Sequence, residues 1–294
     1  MNASAAPHQR DKTGIRRNFD GVADSYDRVA VLQQEIGERL LERLEPMRLQ
    51  PALILDLGSG TGRLCARLSG LYRAARIVQL DLAANMLIKS RDNNRLTERQ
   101  HLLCADAENL PLAANSVDFA FSNLMFQWVS DLDKAFAGVY RALEPGGLLL
   151  FSTFGPDSLM ELRNSWAGVD DYVHVNTFTD MHDVGDALVR AGFAEPVLET
   201  ETFTLVYDDG LALMRELKLL GAGNVNAGRR RSVTGKGKLQ AMLAEYRSRY
   251  GQDGMPATFE AVYGHAWVPE TKQERADTPA PGTYPLTFRA HTAT

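Results

Sequence analysis

Leu53-Ile54-Leu55-Asp56-Leu57-Gly58-Ser59-Gly60-Thr61-Gly62 is an apolar run that meets an acid and then breaks into alternating glycines. The pattern predicts a buried strand, a tight turn and a helix that starts near Arg63. Glycines in such a turn let backbone amides approach a ligand closely, at the positive end of the helix dipole. A nucleotide-like ligand is the first expectation at this joint.

Spacing and charge narrow the ligand. The dinucleotide fingerprint is GxGxxG, with a pyrophosphate against the loop, whereas Gly58, Gly60 and Gly62 form GxGxG. Asp56 would set a negative charge near a diphosphate, but it would welcome a cationic sulfonium cofactor with an amino-acid ammonium. S-adenosylmethionine fits better than a nicotinamide dinucleotide. A second acid, Asp81, follows the strand Ile77 to Leu80, at the distance of about 20 residues where a carboxylate grips ribose hydroxyls.

Outward from this joint, residues 52–154 read as strand 52–57, helix 62–72, strand 76–81, helix 84–92, strands 100–104 and 117–122, helix 131–143 and strand 148–154. Strands alternating with helices predict an α/β fold with a parallel sheet covered on both faces. Glu144-Pro145-Gly146-Gly147 reads as the turn that stops one helix and starts the last of these strands. Ligands of such sheets sit at the carboxyl ends of strands, where Asp56, Asp81, Asp106 and Asn123 all fall. Four joints therefore point polar groups at one crevice.

Before this core, Leu32, Ile36, Leu40 and Leu44 repeat at helical spacing and predict a helical leader over 18–46. Residues 1–17 are polar and without periodicity, which predicts disorder. After the core come helices near 157–166, 180–191, 209–220 and 237–250, a strand near 197–206, and an apolar stretch from Phe259 to Val268 that could close the sheet. The domain thus spans 18–268, with a core at 50–155 and additions at 18–46 and 156–250; residues 269–294, rich in Pro, Thr and charge, read as a solvated tail.

The net charge of -5 argues against general nucleic-acid binding, so an acidic partner must be met by a local basic patch. Cys65 and Cys104 have no metal-like spacing and read as buried or half-buried thiols in a reducing cytoplasm. No apolar run is long enough for a membrane span, and the N-terminus lacks a signal region. His182 with Asp180, Asp183 and Asp186 might suggest a metal, but Thr179 reads as a helix N-cap with favourable acids behind it, and no metal is expected.

Asp56 to Gly62, Leu80 to Leu87, Ala105 to Leu112 and Leu143 to Gly147 together resemble class I S-adenosylmethionine-dependent methyltransferases. That resemblance implies a Rossmann-like, mostly parallel seven-stranded sheet with helices on both faces, a helical N-terminal lid and a helical insertion in the C-terminal half. By position it implies that Asp56, Gly58, Ser59, Gly60 and Gly62 face the methionine part and that Asp81 and Leu82 hold the ribose region. Met86 would pack on adenine, Asp106 and Ala107 would meet its edge, and Asn123 would line the pocket.

Three further blocks are Ser122 to Trp128, Phe154 to Arg163 and His174 to Asp183, together with Leu217 to Ala222 and Thr234 to Lys236. These resemble, more narrowly, the malonyl-[acyl-carrier protein] O-methyltransferases of biotin synthesis. The resemblance implies methylation of the free carboxylate of a malonyl thioester, so that fatty-acid synthase extends it as an ordinary primer. Such a carboxylate is already ionised at neutral pH and needs no general base; alignment with the methyl group and a dry, aromatic pocket are the requirements. Tyr26, Trp128 and Phe178 are the aromatic candidates, and Gln127, His174 and Asn176 the polar positioners. Arg229, Arg230, Arg231, Lys236 and Lys238 put five positive charges within ten residues, flanked by glycines, a patch suited to docking an acidic carrier protein. A quinone-type small-molecule methyltransferase and a respiratory complex I assembly factor of the same superfamily share some of these blocks and stay open as alternatives.

Overall fold

In β1 (Leu53–Leu57) successive side chains point to opposite sides of a sheet, Ile54 into one apolar core and Leu55 and Leu57 into another. The computed structural model describes residues 10–94, 96–226, 229 and 234–272. Around β1 assemble β2 (Arg76–Asp81), β3 (Gln100–Cys104), β4 (Val117–Asn123), β5 (Leu143–Phe154), β6 (Ala194–Tyr207) and β7 (Met255–Trp267). They form one seven-stranded sheet in the order β3-β2-β1-β4-β5-β7-β6. The first five in that order run parallel, and β7 is antiparallel to both its neighbours. This is the mostly parallel class I methyltransferase sheet that the resemblance implies. The order reverses between β1 and β4, and the crevice beyond their carboxyl ends is where a ligand sits in such a sheet.

Helices cover both faces. α3 (Val31–Glu42), α4 (Arg63–Leu71), α7 (Met160–Ala167), α9 (Gly210–Leu219) and α10 (Lys236–Tyr250) pack on the side of Ile54, while α6 (Leu132–Ala142) and α8 (Met181–Ala191) pack on the side of Leu55. Leu32, Ile36 and Leu40 bury the inner stripe of α3; at about 1.5–3 kcal/mol for each such side chain, they fix that helix across the sheet's functional end. α1 (Lys12–Val22), α2 (Tyr26–Val29) and α5 (Ala84–Asn94) enclose the small cluster of Ala23, Ala83 and Met86.

Several expectations need correction. Residues 10–17 are not disordered: Arg10 is buried and bridges to Asn226, and Asp11 caps α1 by accepting from the Gly14 amide. Residues 1–9 and 273–294, which hold most of the two expected flexible ends, lie outside the described residues. Glu144 to Gly147 do not separate helix from strand. They belong to β5, because the Gly146 amide donates to Val268 and the Val268 amide donates back to Gly147. α7 begins three residues later than expected, since Leu159 adopts a left-handed conformation while its amide donates to the Thr258 carbonyl. Asp180, not Thr179, caps α8 by accepting from the His182 amide. Cys65 is buried, but Cys104 ends β3 exposed. Among the described residues no helix is long and apolar enough to cross a membrane.

Candidate active site

The carboxyl ends of β1, β2 and β4 open onto three adjoining cavities that share walls. The first is built at the glycine turn and holds Asp56, Gly58, Ser59, Gly60, Thr61 and Arg63 against Tyr26 and Asn123. Asp56 is 3% exposed, and its Oδ2 has no hydrogen-bond partner among the described residues. Burial, helped by the charge of Asp81, pushes its carboxyl up to about 7. Ser59 Oγ is likewise buried without a partner. Orphaned acceptors of this kind are costly unless a ligand supplies donors, and an ammonium beside a sulfonium supplies both charge and donors. Arg63, in the first turn of α4, adds a cation for the carboxylate of the same amino-acid group. The donor set therefore fits a cationic amino-acid nucleoside.

The three glycines have different tasks. Gly58, at φ +76°, turns the chain with Met125 so close that a Cβ would lie 2.5 Å from its side chain, and Gly60, at φ +54°, faces open space. Gly62 is not at the cavity. Its missing Cβ lets the start of α4 pack on α5, since a methyl there would sit 2.0 Å from Ser90 Oγ.

The second cavity continues past Asp81. Asp81 Oδ2 accepts from the Gly60 amide at 2.9 Å and Oδ1 from the Ala83 amide at 2.8 Å, which leaves lone pairs for two hydroxyls. Burial outweighs these bonds and raises its carboxyl to about 6. Leu82, Met86, Asp106, Ala107 and Asn123 line this cavity. α1 forms its roof through Lys12, Ile15, Arg16 and Phe19. Asp106 is less free than expected: its carboxylate accepts from Lys12 Nζ, the Glu108 amide and Asn109 Nδ2. Burial opposes its charge, but Lys12 and the Glu108 amide outweigh that and hold the carboxyl below its ordinary value. Asp106 thus secures the roof, with Lys12 also 2.9 Å from Glu108.

The third cavity lies on the far side of Gln127 and Trp128, which wall both it and the second. Its surface is largely apolar, including Phe154, Leu162, Trp166, Phe178, Met214 and Phe259. Gln127 is held by donating to the Leu124 carbonyl at 2.6 Å and accepting from Thr153 Oγ1 at 3.3 Å. Trp128 meets Phe19 of the roof edge to face at 5.3 Å, so the roof and the third cavity share a wall. Phe178 packs edge-on against Phe154 at 5.8 Å. His174 stacks on Trp166 at 3.8 Å and places Nε2 2.7 Å from Asp170 Oδ1. Asn176 lines the cavity and is partly engaged by the loop beside it. Its Oδ1 accepts from the Val225 amide and its Nδ2 donates to the Gly223 carbonyl, so it pins the loop after α9. Tyr26 lies between the first two cavities, away from the third, where burial raises its hydroxyl's pKa.

The basic run is partly spent within the chain. Arg229 pairs with Asp11 at 2.7 Å and Lys238 with Asp170 at 2.8 Å. Lys236 opens α10 exposed, and Arg230 and Arg231 lie outside the described residues. Sequence reasoning missed Lys12, Gln33 and Arg63, since lone polar residues on helices carry no motif.

A family model described as a methyltransferase domain matches residues 55–151. Over 286 residues the chain is 48% identical to malonyl-[acyl-carrier protein] O-methyltransferase of Methylovorus sp. (strain MP688), covering 95% of each chain. Laribacter hongkongensis (strain HLHK9) has a protein of the same name that is 48% identical, over 90% of this chain and 92% of its own. Among solved structures, Haemonchus contortus phosphoethanolamine N-methyltransferase 2 in complex with S-adenosyl-L-methionine superposes with a TM-score of 0.53. At 18% identity, over 85% of this chain and 57% of that longer one, this likeness concerns the fold alone.

Proposed function

This chain belongs to the malonyl-[acyl-carrier protein] O-methyltransferase family, and from that membership we propose that it methylates the free carboxylate of a malonyl thioester carried on an acyl-carrier protein. Bound S-adenosylmethionine supplies an electrophilic methyl group on a sulfonium. Asp56 and Ser59 would take the ammonium of its amino-acid end and Arg63 the carboxylate, and Asp81, beside the Gly60 amide, would hold the ribose hydroxyls. Leu82, Met86 and Ala107 wall the base, and α1 closes over it through Phe19 and Lys12.

The acceptor enters the third cavity, where apolar walls exclude water. Gln127 and Trp128 stand at the boundary with the second cavity and set the line of approach. A carboxylate oxygen held at that boundary would take the methyl group that the bound cofactor supplies, with the neutral thioether as leaving group and a methyl ester as product. No proton moves, which agrees with a site that places no general base at this boundary. A cation and an anion become two neutral products, so a dry boundary favours the reaction, and alignment alone is worth about 7–11 kcal/mol in well-oriented reactions. His174, turned toward Asp170, and Asn176, tied to the loop, position the cavity wall instead of reacting.

The observation that carries this reading is the junction itself, an acidic cationic-ligand site meeting an apolar acceptor cavity across Gln127 and Trp128. The partner is an acidic carrier protein met by Lys236, Arg230 and Arg231 of the basic run, with Arg229 and Lys238 contributing only the charge left over from their pairing with Asp11 and Asp170, and we place the reaction in the cytoplasm, in keeping with two free cysteines. The test is direct: purified enzyme, S-adenosylmethionine and malonyl carrier protein, with the carrier followed by mass spectrometry for a methyl ester. Cofactor binding by calorimetry without ester formation on either carrier or coenzyme A thioester would overturn it.

A further inference from the structure

Among the described residues Gln33 alone lines all three cavities. It sits in the first turn of α3, and its Oε1 is buried without a hydrogen-bond partner among the described residues. Its place is fixed from the sheet. Asn123, at the end of β4, donates from Nδ2 to the Gln33 backbone carbonyl at 3.0 Å and accepts from Ser152 Oγ on β5 at 2.7 Å. α3 is held close there, for a Cβ on Gly37 would approach Asn123 Nδ2 to 3.1 Å. A half-buried glutamine with an idle, buried Oε1, its backbone carbonyl tied through Asn123 to β4 and β5, stands where cation site and anion site meet.

Chemistry explains why an amide suits that point. A carboxylate there would bind the sulfonium but repel the acceptor carboxylate, and an ammonium would do the reverse. A neutral amide offers a donor at one end and an acceptor at the other, and the two ends exchange by rotation. We propose that the Gln33 carboxamide holds the acceptor carboxylate against the sulfonium methyl, with Nε2 donating to the non-attacking carboxylate oxygen and Oε1 facing the cation. This assignment rests on the reaction proposed above. It makes Asn123 a positioning residue for Gln33 as well as a wall of the cofactor site.

The test compares Gln33→Met, which keeps the length and removes both hydrogen-bonding ends, with Gln33→Glu, which adds a charge. Thermal melting confirms that each variant folds. In Gln33→Met, S-adenosylmethionine affinity stays within about threefold, while kcat on malonyl carrier protein falls about 10- to 100-fold, the loss expected for one hydrogen bond to a charged group. In Gln33→Glu the two ligands move in opposite directions. Calorimetry shows tighter binding of S-adenosylmethionine but not of S-adenosylhomocysteine, which lacks the sulfonium charge, and turnover falls below that of Gln33→Met. Wild-type activity with Gln33→Met within twofold of it would overturn the assignment. So would Gln33→Glu failing to separate the sulfonium nucleoside from its thioether, a result read without any acceptor. Absence of methyl ester with the wild type overturns the reaction itself, a distinct outcome.

Discussion

Replacing Asp56 by Asn is expected to stabilise the ligand-free protein and weaken the cofactor complex, two effects of opposite sign from one atom. The carboxyl is 3% exposed, has an unpartnered Oδ2 and titrates at about 7 against an ordinary 3.8. That gap opposes the charged form by about 4 kcal/mol above pH 7. Because the folded-state value is raised, the native protein binds more protons than the unfolded chain between about pH 4 and 7, so wild-type stability falls as pH rises through that window. An amide carries the burial cost of a polar group but not of a charge, and the ligand-free variant at pH 8 gains about 2–4 kcal/mol. For a chain of this size the gain is a rise of roughly 5–10 °C in Tm. At pH 5 the wild-type carboxyl is already protonated and the gain shrinks. The same substitution removes a charged acceptor from the cationic ligand and lowers affinity about 10- to 150-fold. Differential scanning fluorimetry at pH 5 and 8 and calorimetry with S-adenosylmethionine give both numbers. A variant that melts below wild type at pH 8, or that binds the cofactor as tightly, refutes the reasoning.

Affinity of the wild type for S-adenosylmethionine is expected to fall as pH drops from 8 to 6, because protonating Asp56 and Asp81, at about 7 and 6, discharges the site; S-adenosylhomocysteine, which keeps the ammonium and the ribose hydroxyls that these acids meet, follows the same trend, and a calorimetric titration flat over this range refutes the assignment. Gly62→Ala loses about 2–4 kcal/mol of stability, from a left-handed conformation and a methyl 2.0 Å from Ser90 Oγ, whereas Gly60→Ala, at φ +54° with open space, loses only about 1 kcal/mol; denaturant melts separate the two. Lys12→Ala frees the roof from Asp106 and Glu108 and speeds cofactor release several-fold in stopped flow, with Tm within a few degrees of wild type. Alanine at Arg229, Arg230 and Arg231 flattens the salt dependence of KM for malonyl carrier protein, and an unchanged slope removes these residues from docking.

The strands around the cofactor were legible because each carries a short apolar core with a polar residue or a glycine turn at or just past its carboxyl end; 76–81 and 100–104 match residue for residue. What escaped is set by distant partners. The extension of β5 through Glu144 to Gly147 depends on Val268, more than a hundred residues away, while the local proline and glycines spell a turn. Order at Arg10 and Asp11 comes from Asn226 and Arg229, so polar composition misled. Thr179 and Asp180 are both good caps, and only geometry chooses between them. Within the site, Asp56 and Asp81 were readable from spacing and charge. Asn176 was not readable as a loop anchor, nor Gln33 as a shared wall, because an amide on a helix looks like surface until neighbouring elements close around it.

The position of β7 separates the order of synthesis from the order of assembly. Pairing along β3-β2-β1-β4-β5 requires only the first 154 residues, yet β6 has no neighbour but β7, which ends at Trp267. A nascent chain therefore carries an open β5 edge and an unpaired β6 until nearly the whole domain has left the ribosome. Open edges of that kind recruit other chains. Shortened products that stop before Met255 should be held by chaperones or aggregate even though every cofactor-binding strand is complete.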